Sequence, residues 1–273
     1  MQQRTVFFVS DQTGVTAETL GHSLLTQFDG QEFRQVTVPF IDSVDKAEAA
    51  VERIDAVGQR EGLRPIVFST LVRDDLRHVL RTANALFLDF FDAFVGPMEL
   101  ELGMESSHKE GKAHGVVDVA SYMRRIEATN FAMAHDDGGA ARNYERADVI
   151  LLGVSRSGKT PTCLYMALQY GVFAANYPLT EEDLESGDLP KLLRPHRRKL
   201  YGLTIAPDRL QHIRRERRAH GRYASAQQVG FELRAALSLY RRHAIPYINT
   251  TDKSIEEISA AILNETGVER RVR

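Results

Sequence analysis

Eight consecutive residues, Gly153-Val154-Ser155-Arg156-Ser157-Gly158-Lys159-Thr160, fit the pattern GxxxxGK[ST]. That spacing has a definite chemistry. Glycines let the backbone curl until successive N–H groups converge on phosphate oxygens. A helix starting at the end of the loop adds the partial positive charge of its N-terminus. A lysine at position 159 would reach the distal phosphates, and the hydroxyl of Thr160 could ligate a magnesium ion. The flanks suit this reading. Ala147–Leu152 is an apolar, strand-like run, and Pro161 falls in a first helical turn, where a missing N–H matters little. The alternative is a Gly/Ser turn that binds nothing, and a strand before with a helix after argues against it.

A phosphate loop implies a nucleotide but not a reaction. Phosphorylating a hydroxyl needs a base for its proton, usually an Asp, and the opposite direction needs an acid in the same place. His135-Asp136-Asp137-Gly138 sets an imidazole beside two carboxylates, and Asp11 stands in the turn-like stretch Ser10-Asp11-Gln12-Thr13-Gly14. The second stretch follows a strand, where ligands of open α/β sheets tend to bind. Each also has a plain structural reading: the first as a polar hinge with a helix-ending glycine, the second as a turn. Asp89 closes Leu86-Phe87-Leu88-Asp89 in the manner of a metal-organising carboxylate, but it precedes the loop and reads better as a strand-end residue. Asp148 precedes its strand and would sit at the wrong end. Cys163 reads as a small packed residue. The nine histidines show no metal-binding spacing.

These residues need elements to position them, and the chain supplies strands alternating with helices. Thr5–Val9, Arg34–Phe40, Pro65–Phe68 and Ala85–Phe90 are strand-like. Between them lie a helix with Thr16 as N-cap and Ala17, Leu20, Leu24, Leu25 and Phe28 at helical spacing, a helix over Val44–Val57 with Ala47, Ala50, Val51 and Ile54 inward, and a helix over Asp74–Thr82. Helix-like Val116–Ala134 leads to a seam at His135-Asp136-Asp137-Gly138-Gly139. Strands then follow at Ala147–Leu152, Val172–Ala175, Leu200–Ile205 and Pro246–Asn249, with two helices between Asp208 and His243. Ser254-Ile255-Glu256-Glu257 is a capping box. The expected class is α/β in two lobes: residues 1–140 as an N-terminal, mostly parallel α/β sheet, and residues 141–273 as a C-terminal P-loop kinase-like domain.

Composition narrows the function. With 273 residues, 43% hydrophobic and 26% charged, the chain is too apolar for disorder. No run approaches the roughly 18–20 apolar residues of a membrane span, and no secretory leader is evident. A single cysteine fits a reducing cytoplasm. A net charge of −2 argues against a general nucleic-acid binder. Locally, residues 190–225 hold eleven Lys or Arg against two acidic residues, with Arg214, Arg215, Arg217 and Arg218 crowding one helix. A solvated face is the ordinary meaning of such a run; phosphate contacts or docking onto an acidic partner are the functional ones.

Taken together, these stretches resemble the bacterial phosphoenolpyruvate synthase regulatory proteins, relatives of the pyruvate, phosphate dikinase regulatory proteins. The resemblance covers essentially the whole chain. It rests on Val9–Glu18, Phe131–Gly138, Gly153–Thr162, Ala175-Asn176-Tyr177-Pro178-Leu179, Gly202-Leu203-Thr204 and Thr251–Glu257. Dikinase-type members often carry Ser where Gly158 stands, so the Gly-Lys form leans toward the synthase branch. The resemblance implies a bifunctional serine/threonine kinase and phosphorylase. Such proteins move a phosphoryl group from ADP to a threonine of phosphoenolpyruvate synthase, switching it off, and reverse this with inorganic phosphate, releasing pyrophosphate. It implies phosphoenolpyruvate synthase as protein substrate, while magnesium beside the nucleotide is expected from the loop's Thr160. It leaves the oligomeric state open, a homodimer included. Asp136, Asp137 and Asp11 all remain candidates for the base. A small-molecule P-loop kinase or nucleotide hydrolase, and a nucleotide-sensing binding protein without catalysis, are the competing functions.

Overall fold

A computed structural model describes residues 3–107, 119–138, 141–217 and 221–272. Two compact units divide the chain, Met1–Gly115 and Val116–Arg273. In the first, β1 (Arg4–Val9), β2 (Phe33–Val38), β3 (Ile66–Ser69) and β4 (Leu86–Asp89) alternate with α1 (Val15–Leu25), α2 (Val44–Glu61) and α3 (Asp74–Leu80), and α4 (Phe90–Leu102) follows β4 directly. The sheet is parallel with order β2-β1-β3-β4. Central β1 is buried from Thr5 to Val9, as expected of a strand covered by helices on both faces.

The second unit repeats the plan. It comprises α5 (Val119–Ala134), β5 (Val149–Gly153), α6 (Lys159–Tyr170), β6 (Ala174–Pro178), α7 (Glu181–Ser186), β7 (Leu200–Thr204), α8 (Pro207–Arg217), α9 (Ala226–Arg242), β8 (Tyr247–Asn249) and α10 (Ile255–Thr266). Its parallel sheet has the order β6-β5-β7-β8. All five residues of β5 are buried, and the chain crosses from β5 to β6 on one side while β7 pairs on the other. Ligands of open α/β sheets bind at such a reversal point, beyond the carboxyl ends of the strands. The capping box at Ser254 and Glu257 is formed. No described helix is long and apolar enough to cross a membrane.

Three details differ from the sequence-based expectation. The units divide near residue 115 rather than at 140, because Ala128, Phe131 and Ala132 of α5 belong to the core of the second unit. Helix α1 begins at Val15 with Gly14 as its N-cap, two residues before the expected Thr16. The same helix buries Ala17, Gly21 and Leu25 and leaves Leu20, Leu24 and Phe28 exposed. The reason is the sheet beneath: a Cβ on Gly21 would lie 2.4 Å from Phe8 and 2.8 Å from Phe68. Two phenyl rings fill the space, so the helix turns its small residues inward. Residues 116–118 of the expected helix, Gly139 and Arg218 lie outside the described residues.

Candidate functional site

The loop between β5 and α6 has the strand–turn–helix context its sequence requires. Gly153 ends β5, and a Cβ there would lie 2.4 Å from Ser157 Oγ and 3.0 Å from the Leu203 carbonyl. Only glycine lets the loop fold back so closely. Gly158, at φ 96°, occupies the left-handed region immediately before α6, where any side chain is strained. Arg156 adopts φ 75° without that excuse, and such strain is retained mainly where a structure needs it.

Lys159 is the first residue of α6 and only 4% exposed. Its Nζ donates to the Val154 carbonyl at 3.0 Å, closing the loop on itself. Burial pushes its ammonium from 10.5 down to about 8, against the opposing pull of the Asp137 and Asp136 carboxylates. A bound phosphate would reverse that shift by supplying the missing counter-charge.

The carboxylates come from the turn after α5. Thr160 Oγ1 donates to Asp136 Oδ1 at 2.7 Å, and the amide Nδ2 of Asn176 donates to the same oxygen. Asp137, at φ 49°, sends its N–H to Asn176 Oδ1 at 2.9 Å and leaves its side chain exposed. Asp136, Asp137, Ser155, Arg156, Gly158, Lys159, Thr160, Pro161 and Arg217 line one cavity of about 550 Å³. Both seam carboxylates, Lys159 and Thr160 are thus brought together, within a single unit.

His135 does not line this cavity. Its ring is buried, stacks on Phe131 at 3.9 Å, and donates from Nδ1 to the Phe131 carbonyl at 2.8 Å. It anchors the turn. Asp11 belongs to the first unit, buried at the end of β1, where its Oδ2 accepts from the Val72 N–H at 3.3 Å. Desolvation holds its carboxyl above the usual range. Asp89, also in the first unit, caps α4 by accepting from the N–H groups of Phe91 and Asp92. Asp148 accepts from the Phe173 N–H at 2.9 Å, at the far end of β5. Cys163 is buried, which pushes its thiol well up.

The basic helix divides in a way its sequence does not announce. Arg214 is wholly buried, so it cannot dock a partner. Its guanidinium donates to the carbonyls of Ser155 at 3.1 Å and Tyr223 at 3.0 Å, pairs with Glu232 at 2.6 Å, and lies over the Tyr223 ring. Ser155 Oγ and the Tyr223 hydroxyl share a further bond of 2.9 Å. Arg214 is therefore a brace for the loop between β5 and α6, while Arg217 reaches the cavity and Arg215 is exposed. On the other side Thr250 Oγ1 donates to the Ser157 carbonyl at 3.3 Å.

Among the described residues no group of three or more His, Cys, Asp or Glu is arranged to hold a metal. Thr160 and Asp136 offer one hydroxyl and one carboxylate, which suits magnesium that keeps waters and phosphate oxygens as its other ligands. The donor set fits a nucleotide-borne ion rather than a resident one.

Fold and site together define an α/β protein whose reversal point carries a glycine-flanked strand–loop–helix junction beside a carboxylate pair. The chain belongs to the kinase/pyrophosphorylase family, which it matches over residues 6–263, and that membership makes it a phosphotransferase. It is 56% identical over 271 residues to a protein of Ectopseudomonas mendocina, with 99% of this chain and 100% of the relative covered. A protein of Alkalilimnicola ehrlichii is 56% identical over 270 residues, covering 99% and 98%, and one of Pseudomonas putida is 55% identical over 271 residues, covering 99% and 100%. All three are named, provisionally, as phosphoenolpyruvate synthase regulatory proteins.

Proposed function

We propose that this chain is a bifunctional enzyme that phosphorylates a threonine of phosphoenolpyruvate synthase from ADP and removes that phosphate with inorganic phosphate, releasing pyrophosphate. The observation that carries the reading is the shared cavity, in which the loop's Lys159 and Thr160 meet Asp136 and Asp137. The names of the relatives supply the target, and the family supplies the two chemistries.

The carboxylates divide the work. Asp136 already accepts two hydrogen bonds on Oδ1, one from the loop's own Thr160. It is suited to fixing the loop and, with Thr160, to holding magnesium, which when bound neutralises charge on the phosphoryl oxygens. Asp137 lines the cavity with an exposed carboxylate that acts on the Lys159 ammonium, which suits a group that must take and return a proton beside the phosphates. In the forward direction the threonine oxygen attacks the β-phosphorus of ADP, its proton passes to Asp137, and the bond to the AMP oxygen breaks. In the other direction an oxygen of inorganic phosphate attacks the phosphothreonine. The bond to the threonine oxygen breaks, protonated Asp137 returns the proton to it, and pyrophosphate leaves. Lys159, Arg156 and Arg217 are the cations facing the phosphates.

ADP labelled at its β-phosphate, incubated with the purified protein and phosphoenolpyruvate synthase, tests this. The label should appear on a synthase threonine, and added phosphate should then release it as labelled pyrophosphate. Label on a small molecule or free phosphate, or no transfer, overturns the proposal.

A further inference from the structure

We propose that Asn176 is the positioning residue of this site: one buried amide fixes the Asp136 carboxylate on the phosphate loop and holds Asp137 in the turn that presents it to the cavity. The inference rests on the reading of Asp137 as the acid–base group. Asn176 sits in the middle of β6, opposite Leu151 of β5, and is 1% exposed. An amide there is costly unless all its groups are bonded, and they are. Nδ2 donates to Asp136 Oδ1, Oδ1 accepts from the Asp137 N–H at 2.9 Å, the backbone N–H donates to the His135 carbonyl at 3.2 Å, and the backbone carbonyl accepts from the Tyr144 hydroxyl at 3.2 Å.

The chemistry at position 176 is exacting. Asp136 needs a donor and the Asp137 N–H needs an acceptor, a few ångströms apart on one planar group, and a carboxamide offers both whatever the pH. Asp137 sits at φ 49° and ψ 34°, the left-handed region, which disfavours residues that carry a Cβ. Its bond to Asn176 opposes that cost. With the amide gone, the turn can relax toward ordinary geometry and Asp137 swings from its place.

Two substitutions test the proposal. Asn176→Asp keeps the shape but replaces the donor that faces Asp136 by a second carboxylate, so kcat should fall in both directions at least as far as in the alanine variant. In Asn176→Ala the Asp137 N–H, bonded to Asn176 Oδ1 in the wild type, should shift in the amide NMR spectrum and exchange faster with solvent. Asn176→Ala should lower kcat in both directions by up to about a hundredfold, the scale of an ångström-sized misplacement, with KM for ADP little changed. An Asp137 amide that exchanges as in wild type in the Ala variant, or wild-type kcat in either variant, overturns the assignment. A folded wild-type protein without transferase activity would instead refute the proposed function, and the Asp137 amide exchange would still decide the role of Asn176.

Discussion

Replacing Lys159 by Met separates what a buried lysine does for the ligand from what it does to the fold. Its ammonium is 4% exposed and titrates near 8 instead of 10.5, so solvent screens little of the effect. Between those values the unfolded chain binds a proton that the folded chain lacks. Wild-type stability therefore rises with pH across that window, and the burial penalty is felt in full below about pH 8. The shift corresponds to about 3 kcal/mol. Methionine has the same reach and no charge, so it carries no such penalty. It also forfeits the hydrogen bond to Val154, about 1 kcal/mol at any pH. In phosphate-free buffer the stability of Lys159→Met relative to wild type should thus be more favourable at pH 7 than at pH 10, by roughly 2–3 kcal/mol, since pH 10 still lies just below the unfolded value. Urea unfolding followed by far-UV circular dichroism at both pH values measures it, and titrations common to both proteins cancel in the difference. On the proposed reading, the same variant loses phosphate binding and both activities. A stability difference that stays flat between the two pH values would show that Lys159 is not a desolvated cation, and the argument for its coupling to phosphate would fall with it.

Further outcomes follow from the site. Asp137→Asn should keep nucleotide binding, measured by calorimetry, and lower both rates by roughly a hundredfold or more; full activity would remove it as the acid–base group. Arg214→Met leaves Glu232 without its buried partner and should destabilise the second unit by about 3–5 kcal/mol in urea unfolding; an unchanged midpoint would refute its role as a brace. Arg215→Glu, on the exposed face of α8, should weaken association with phosphoenolpyruvate synthase and flatten its salt dependence while sparing ADP binding; unchanged association would confine docking to another surface. AMP should inhibit the phosphate-dependent reaction competitively against phosphate; noncompetitive inhibition would mean two separate phosphate sites.

The parts of the site legible in the sequence are those made by neighbours along the chain. Gly153 to Thr160 are contiguous, and their meaning depends only on the strand before and the helix after. Asp136 and Asp137 are adjacent, and the chain's alternation of strands and helices is enough to expect an α/β fold. What escaped reading depends on pairings between distant segments. Asn176 matters because β6 pairs in parallel with β5 and so delivers its amide to the turn after α5. Its one trace was its place in the stretch Ala175–Leu179. Arg214 is one of four arginines in five residues, and composition makes them all surface. The carbonyl of Ser155 and the carboxylate of Glu232 single one out for burial. Periodicity found α1, and its Ala17 and Leu25 are buried, but not the exposure of Leu20, Leu24 and Phe28, because Phe8 and Phe68 of the sheet decide which residues fit against them. Helix α4 was not expected: the strand reading ended at Phe90, whereas Asp89 caps a helix that begins there.

The proposed pair of reactions asks less of one cavity than its two names suggest. In the forward direction the leaving group is a phosphate oxygen of AMP; in the phosphate-dependent direction the nucleophile is an oxygen of inorganic phosphate. Attack of AMP on the phosphothreonine is the exact reverse of the kinase step, and phosphate differs from AMP only by lacking the nucleoside. A site that holds the α-phosphate of ADP beside the transferred group therefore already contains a place for phosphate. The loop amides, Lys159 and the arginines at 156 and 217 face phosphate groups whichever way the bond is moved, and one carboxylate can serve as base in one direction and acid in the other. The direction taken then depends on which phosphates are available and whether the threonine is free or esterified, and no second active site has to be supposed.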